Sequence, residues 1–122
     1  MVLVDTSVWV DHFKCSNVKL IELLNADNVC CHPFVIAELA CGTPPEPRKK
    51  TLSDLSVLRV ATIATMDEVL TFIEQKQLYG RACGYIDIAL LTSTLLSEET
   101  TLWTLDKRLA ELAEELNINY MK

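Results

Sequence analysis

The sequence predicts an α/β domain in which helices cover both faces of a short parallel sheet. The first observation is length, because 122 residues suit one domain with a single core and are too few for two. The second is the alternation of short apolar runs with segments of helical periodicity, a pattern typical of β-α units. The third is composition, since 50% hydrophobic and 23% charged residues exclude a disordered or fibrous chain. We therefore expect residues 1–122 to form a single domain.

The first half of the chain is predicted to contain two strands and three helices. Residues 1–4 are apolar and partly β-branched, which suits a buried central strand. Asp5, Thr6 and Ser7 follow this strand and supply side-chain oxygens that begin helices. The remaining predictions are a helix over 18–24, a strand over 29–32 and a helix over 34–41 that ends at Gly42.

The second half continues the alternation after a proline-rich turn over 42–47. Pro47 is placed to open a helix at its first turn, and residues 58–60 suit a brief strand. The later predictions are a helix after a capping-box pattern at 65–68, a loop over 80–84, a helix over 85–96, a strand over 101–104, a helix containing Leu109 to Leu116 and a short last strand over 118–120.

Charge and cysteine content restrict the environment and the partners. The formal net charge of −6 argues against binding nucleic acid or an anionic membrane by bulk electrostatics, although bound cations can reverse a local field. No apolar run approaches the roughly 20 residues needed to cross a bilayer, and the N-terminus lacks the basic region of a signal peptide. The five cysteines are odd in number and irregularly spaced. We therefore expect a cytoplasmic protein without disulfides or membrane contact.

Four acidic residues stand where simple patterning does not place them. Asp5 ends the first apolar strand, and Asp106 follows the strand over 101–104. Glu38 and Asp87 are each embedded in an apolar helical segment. Any one of them alone could be an ordinary surface acid or the partner of a basic side chain. Ligands of parallel sheets bind beyond the carboxyl ends of the strands, so convergence of all four at that edge is the informative hypothesis.

Such convergence requires that the repulsion between carboxylates be offset. Two carboxylates 5 Å apart repel by roughly 3 kcal/mol at an effective dielectric constant near 20. Four of them would either take up protons or hold cations. A set of oxygen ligands selects Mg²⁺ or Mn²⁺, which activates water and neutralises charge on phosphoryl oxygens. The hydroxyls of Thr6, Ser7 and Thr104 are close enough in sequence to orient a carboxylate or hold a water.

These residues resemble the four signatures of PIN-domain ribonucleases, and more narrowly those of VapC-type toxins of toxin-antitoxin pairs. The matching segments are Val-Asp-Thr-Ser-Val-Trp over 4–9, Ala-Glu-Leu over 37–39, Gly-Tyr-Ile-Asp over 84–87 and Trp-Thr-Leu-Asp over 103–106. A single one of these motifs is weak. The four together have the order and spacing of the family, and the likeness covers essentially the whole chain.

The resemblance implies a three-layer α/β/α domain with a short central parallel sheet and an acidic pocket for Mg²⁺ or Mn²⁺. It implies endonucleolytic cleavage of RNA, neutralisation by a cognate antitoxin, and a homodimer. Position by position, Asp5, Glu38, Asp87 and Asp106 match the catalytic acids, with Asp5, Asp87 and Asp106 as metal ligands. Many PIN domains have another acid two residues after the fourth, where this chain has Arg108. One metal ion is therefore expected, and a second is left open.

Basic residues near the predicted site are candidates for contacts with the RNA backbone. Arg81 precedes the helix that contains Asp87, and Lys107 and Arg108 follow Asp106 directly. The run over 48–50 is also basic, but such a run is usually a solvated helix face. Cys30 and His32 share one side of a strand without further ligands in view, so we interpret them as core residues and not as a zinc site.

Two other functions compete with the nuclease. An aspartyl-phosphate-type phosphohydrolase also places an Asp after its first strand, but it commonly needs a second Asp two residues later, where this chain has Ser7. A non-catalytic module that binds RNA or protein around a structural ion is the other alternative. Degenerate PIN domains usually lose some of the four acids, whereas this chain retains all of them.

Overall fold

The computed structural model describes residues 1–120 and has seven helices and four strands within them. The last two residues of the predicted single domain, 121–122, lie outside the described residues. In chain order the elements are β1 (Val2–Val4), α1 (Thr6–Cys15), α2 (Val18–Asn25), β2 (Val29–Cys31), α3 (Pro33–Cys41), α4 (Arg48–Ser56), β3 (Arg59–Val60), α5 (Met66–Lys76), α6 (Tyr85–Leu96), β4 (Thr101–Trp103) and α7 (Lys107–Glu115).

The four strands form one sheet in the order β3-β2-β1-β4, and every pair is parallel. β1 lies in the interior of the sheet and is buried along its whole length, as its unbroken apolar sequence predicts. Val2 faces Val29 of β2 on one side, and Val4 faces Trp103 of β4 on the other. The chain moves from β1 toward β3 on one side and returns to β4 on the opposite side. A topological switch point, where such sheets bind ligands, therefore lies between β1 and β4.

Most helices begin at a side chain that accepts a hydrogen bond from the first turn. Asp5 accepts from the Ser7 N–H at the start of α1, and Asn17 accepts from the Leu20 N–H at the start of α2. The predicted capping box at α5 is present in both directions between Thr65 and Glu68. These local contacts explain why helix boundaries could be predicted closely from sequence.

The helices form two groups that cover the sheet. α1 contacts α3, and α3 contacts α4, whereas α5 contacts α6, which in turn contacts β4. Fully buried leucines from β1, α6 and β4, including Leu3, Leu90 and Leu102, form the centre of the hydrophobic core. The predicted three-layer α/β/α architecture around a short parallel sheet is confirmed.

Two short segments near the sheet edges differ from the prediction. The segment over 118–120 makes an isolated bridge between Asn119 and Leu102 in place of a regular strand. Leu58 is outside β3 because its N–H donates to the Leu55 carbonyl in the turn that ends α4. In both places a turn at the end of the preceding helix uses backbone groups that a longer strand would need. None of the helices described within residues 1–120 is long and apolar enough to cross a membrane.

Candidate active site

The pairing of β1 with β4 brings the first and last predicted acids to the same edge of the sheet. The Asp5 N–H donates to the Trp103 carbonyl over 2.9 Å, so the residues that follow the two strands are neighbours. Asp5 is buried, with 6% of its surface exposed, and it also caps α1. Asp106 lies three residues beyond Trp103 and caps α7. Both carboxylates therefore lie at the switch point between β1 and β4.

Two hydroxyl groups hold the Asp5 carboxylate in one orientation. The Ser7 hydroxyl donates to Asp5 Oδ2 over 2.8 Å, and the Thr104 hydroxyl donates to the same oxygen over 2.7 Å. Ser7 Oγ also accepts the Leu105 N–H over 2.9 Å, which connects the start of α1 to the segment after β4. Both bonds end on Oδ2. Among the hydrogen bonds of the described residues, Asp5 Oδ1 therefore remains available for another ligand. The sequence predicts that these hydroxyls orient a carboxylate or hold a water, and the structure places Ser7 and Thr104 on Asp5.

Glu38 is oriented by the third predicted hydroxyl. Thr6 Oγ1, in the first turn of α1, donates to Glu38 Oε1 on α3 over 2.6 Å. The bond is short, as expected for a hydroxyl that donates to a carboxylate. It joins residues 32 positions apart in sequence and leaves Glu38 Oε2 outside this bond. Glu38 is partly buried beside Leu39, which belongs to the core.

Asp87 shows the electrostatic cost of placing the four acids together. Burial raises its pKa most, and the charges of Asp5, Asp106 and Glu38 raise it further. A hydrogen bond from the Gly84 backbone at the start of α6 acts in the opposite direction, and the pKa of Asp87 is about 6. The other three carboxylates are therefore within electrostatic reach of Asp87.

Asp106 lies at this site and is also the N-cap of α7. Its Oδ1 accepts the N–H groups of Arg108 over 2.9 Å and Leu109 over 3.1 Å at the first turn of α7. Its own N–H donates to Thr104 Oγ1 over 3.0 Å. The hydroxyl of Thr104 thus lies between Asp5 and Asp106. One oxygen of Asp106 is used as a helix cap, and Oδ2 is not used in these contacts.

The chemistry of the donor set fits a hard divalent cation. Carboxylate and hydroxyl oxygens are the groups that Mg²⁺ and Mn²⁺ prefer, and each of Asp5, Glu38 and Asp106 has one oxygen held while the other lies outside those bonds. As the side chains lie, no three His, Cys, Asp or Glu residues among 1–120 are grouped closely enough to hold an ion together. The carboxylates would therefore have to draw closer together to bind one ion.

The three candidate basic residues lie in different surroundings. Arg81 is not free, because it forms two hydrogen bonds with the carboxylate of Glu115 on α7, at 3.1 and 2.5 Å. Lys107 and Arg108 are exposed in the first turn of α7, directly after Asp106. The basic run over 48–50 is exposed, as its interpretation as a solvated face predicts.

Sequence reasoning missed several contacts that shape the site. Glu115 as the partner of Arg81 had no signal in the sequence, because the two residues are 34 positions apart. Cys83 was also missed; burial raises its pKa, and the charges of Asp87 and Asp106 raise it further. The capping role of Asp106 could have been found, since an Asp directly before an amphipathic segment is a common helix start.

Comparison with known proteins agrees with this geometry. The model of the PIN domain family matches residues 2–115. Ribonuclease VapC32 from Mycobacterium tuberculosis, in strain CDC 1551 / Oshkosh and in strain ATCC 25618 / H37Rv, is 42% identical to this chain over 118 residues. The match covers 97% of this chain and 94% of that protein. With the parallel sheet, the strand order and the acids at the switch point, these findings show that the chain belongs to the PIN domain family and is VapC-like within it.

Proposed function

We propose that this chain is a divalent-metal-dependent endoribonuclease and the toxin of a toxin-antitoxin pair, with residues 1–122 as its single domain. The observation that supports this most directly is the placement of Asp5 and Asp106 together at the switch point of the sheet, where the Thr104 hydroxyl is bonded to the Asp5 carboxylate and to the Asp106 N–H. The relatives named ribonuclease VapC32, matched over almost their whole length, support the same activity. A carboxylate cluster of this kind suits phosphodiester hydrolysis, where negative charge must be balanced.

In the proposed site Asp5, Asp87 and Asp106 would hold Mg²⁺ or Mn²⁺. The ion would supply an activated water and positive charge opposite the phosphate. Ser7 and Thr104 keep Asp5 Oδ2 fixed, so Oδ1 would be the oxygen available to the ion. The N–H groups at the start of α7 fix Asp106 in the same way. One ion is proposed, and the presence of Arg108 where many relatives have an acid gives no support for a second.

Glu38 is proposed to orient the attacking water and to accept its proton. Thr6 holds Glu38 Oε1, and Oε2, which lies outside this bond, would be the oxygen that serves this role. The products implied are RNA ends with a 5′-phosphate and a 3′-hydroxyl. Lys107 and Arg108 are exposed beside Asp106 and suit phosphate contacts along the substrate. Arg81 can serve the same purpose once it exchanges the Glu115 carboxylate for a phosphate.

The proposed partners are an RNA substrate, a cognate antitoxin protein and a second copy of the chain, in the cytoplasm. Support for the second copy comes from exposed apolar side chains on α5 and α6, namely Met66, Leu70, Leu95 and Leu96. Burial of such side chains at an interface would remove apolar surface from water.

The proposal is tested by cleavage of a mixed pool of structured RNAs in Mg²⁺, in Mn²⁺ and in EDTA. Wild type, Asp5→Asn and the matched control Asp67→Asn are purified in parallel, so that a contaminating nuclease acts equally in all three. Asp67 is an exposed acid in the first turn of α5, away from the four carboxylates. We expect discrete metal-dependent cuts by wild type and Asp67→Asn, and at least a hundredfold slower cleavage by Asp5→Asn.

Equal activity of all three proteins would overturn the nuclease assignment. Absence of cleavage together with binding of Mn²⁺ by wild type alone would favour the non-catalytic binding module. The aspartyl-phosphate mechanism has less support, because the position of its second acid is occupied by Ser7, whose hydroxyl is bound to Asp5. Trapping of an acyl-phosphate analogue on Asp5 with beryllofluoride would restore it.

A further inference from the structure

The loop that joins α5 to α6, here named the strap, comprises residues 77–84 and leads directly into the helix that carries Asp87. Leu78 is buried, with 2% of its surface exposed, and anchors the start of the strap in the core. At the other end Gly84 is the N-cap of α6, and no side chain of the described residues caps that first turn. The placement of the first turn of α6 therefore depends on how the strap itself is held.

The backbone of the strap has an unfavourable conformation. Gln77, Gly80 and Ala82 have φ angles of 53°, 70° and 64°, which lie in the left-handed region. Gly80 adopts this region without steric cost, whereas the Cβ atoms of Gln77 and Ala82 oppose it. Contacts with the rest of the protein must therefore hold the strap in this conformation.

An ion pair between Arg81 and Glu115 joins the strap to α7. The Arg81 guanidinium donates one hydrogen bond to each oxygen of the Glu115 carboxylate, over 3.1 and 2.5 Å. Such two-point contacts between arginine and a carboxylate fix orientation as well as distance. Within residues 1–120, the stretch from Tyr79 to Cys83 makes hydrogen bonds to other elements only through Arg81. The hydrogen bonds of this stretch thus hold it on α7 at a single point.

The strap runs from the last residue of α7 toward the first. Glu115 ends α7 and Asp106 is its N-cap, and a helix of nine residues is about 13 Å long. Burial raises the pKa of the Cys83 thiol, and the charges of Asp87 and Asp106 raise it further, so Cys83 lies toward the N-cap end. The strap therefore connects the Arg81–Glu115 pair to the part of the site that contains Asp87 and Asp106.

We propose that Glu115 is a positioning residue, which through Arg81 holds the strap closed on α7 and so keeps the first turn of α6, with Asp87, in place for catalysis. Closure of the strap needs no substrate, whereas its effect on catalysis rests on the proposed nuclease function. The side chains of Arg81 and Glu115 are 37% and 53% exposed, so water screens the pair. A screened pair of this kind changes an opening equilibrium by about fivefold at most.

The first test measures opening of the strap by the rate at which Cys83 reacts with iodoacetamide in the native protein. Labelling is read at each cysteine by mass spectrometry, and rates are compared for the fully ionised thiol, from their pH dependence. The chain carries its own references, namely the exposed Cys15 and Cys41 and the buried Cys30 and Cys31. The buried pair reports unfolding of the whole domain. We expect Glu115→Gln to label Cys83 about three- to fivefold faster than wild type, with the rates of the buried pair unchanged.

Glu111→Gln is the matched control for the loss of charge. Glu111 is an exposed acid on α7 whose charge also acts on Arg81, but it makes no hydrogen bond to Arg81 among the described residues. Its Cys83 labelling rate should equal that of wild type. Arg81→Gln should match Glu115→Gln, and the double variant should be no faster than either, because both substitutions remove the same contact. Equal Cys83 rates in wild type and Glu115→Gln, or equal increases in Glu115→Gln and Glu111→Gln, would overturn the inference.

Cleavage kinetics test the effect on catalysis separately, because catalysis is sensitive to small displacements of the groups that perform it. Glu115→Gln should lower kcat about threefold without raising KM, since Arg81 keeps its charge, and Glu111→Gln should leave both unchanged. Faster labelling of Cys83 with an unchanged kcat would limit the pair to a structural contact and overturn the positioning role. If wild type cleaves no RNA, the nuclease assignment fails, and the labelling rates alone decide whether Glu115 holds the strap.

Discussion

Replacement of Asp87 by Asn is expected to stabilise the metal-free protein at neutral pH while removing its activity. Asp87 is partly buried beside three other carboxylates, and its pKa is about 6, compared with about 3.9 for an unperturbed aspartate. Folding therefore makes the side chain bind its proton more tightly than the unfolded chain does. As pH rises from about 4 to about 6, the unfolded state loses this proton first, so the free energy of unfolding falls and stays lower at higher pH.

The size of the effect follows from the proton affinity. The pKa of Asp87 in the folded protein, about 6, is about 2 above that of an unperturbed aspartate. Each tenfold change in proton affinity corresponds to 1.36 kcal/mol, so this pKa difference corresponds to about 3 kcal/mol of unfolding free energy. Water reaches part of the side chain and screens it, which reduces the expected gain to about 1–2 kcal/mol. For a chain of this length that gain raises Tm by about 3–8 °C. Asn has nearly the shape of Asp and no charge, so it removes the repulsion without opening a cavity.

The assay is thermal and chemical unfolding in EDTA at several pH values between 4 and 7.5, with Asp67→Asn as the control. The advantage of Asp87→Asn should be greatest at pH 7.5 and should shrink as pH falls through the window from about 6 to about 4. Saturating Mn²⁺ should raise Tm of wild type and leave that of Asp87→Asn nearly unchanged, because a ligand that binds only the native state stabilises it. A variant less stable than wild type at pH 7.5 in EDTA, or an advantage independent of pH, would refute the electrostatic reasoning.

Two further predictions concern helix starts near the site. His32 is buried at the start of α3, where its Nδ1 accepts the Phe34 N–H, and burial lowers its pKa. Because the unfolded state binds the proton more readily, the free energy of unfolding should fall as pH drops below about 6.5. His32→Asn has no imidazole to protonate, so its free energy of unfolding should fall less between pH 7.5 and 5 when both proteins are unfolded with denaturant at each pH. Equal slopes of unfolding free energy against pH for wild type and His32→Asn would contradict this. Asp106→Ala should lower the free energy of unfolding by about 1 kcal/mol through loss of the α7 cap, whereas Asp106→Asn should stay within about 0.5 kcal/mol of wild type. Both should cleave RNA at least tenfold more slowly, and normal cleavage by the Asn variant would limit Asp106 to its structural role.

The helix and strand pattern was predictable because its signals are local. The buried β1 strand, the capping box at Thr65 and the helix start at Asp5 each depend on residues a few positions apart. The two failures, over 118–120 and at Leu58, occur at sheet edges. There the competition between a turn and a strand is decided by which backbone partner is near, and a sequence pattern does not contain that information.

The four acids could be singled out from the sequence as candidates for a physical reason. A carboxylate on an apolar helix face, such as Glu38 or Asp87, is costly unless something compensates it, so its presence is conspicuous. Asp5 and Asp106 were singled out because the carboxyl ends of parallel strands meet at one edge of the sheet. The resemblance to PIN domains then joined these four positions into one hypothesis, which the match of the family model to residues 2–115 supports.

By itself, the sequence determined the fold class and the parallel sheet and singled out the four acids as candidates, because these follow from periodicity, strand ends and misplaced charge. Only the tertiary structure decided how the acids are oriented and what surrounds them. The Thr6–Glu38 bond spans 32 positions, the Arg81–Glu115 pair 34 and the Thr104–Asp5 bond 99. Such contacts depend on the relative placement of whole elements, which is set by packing of the common core and not by any local run of residues.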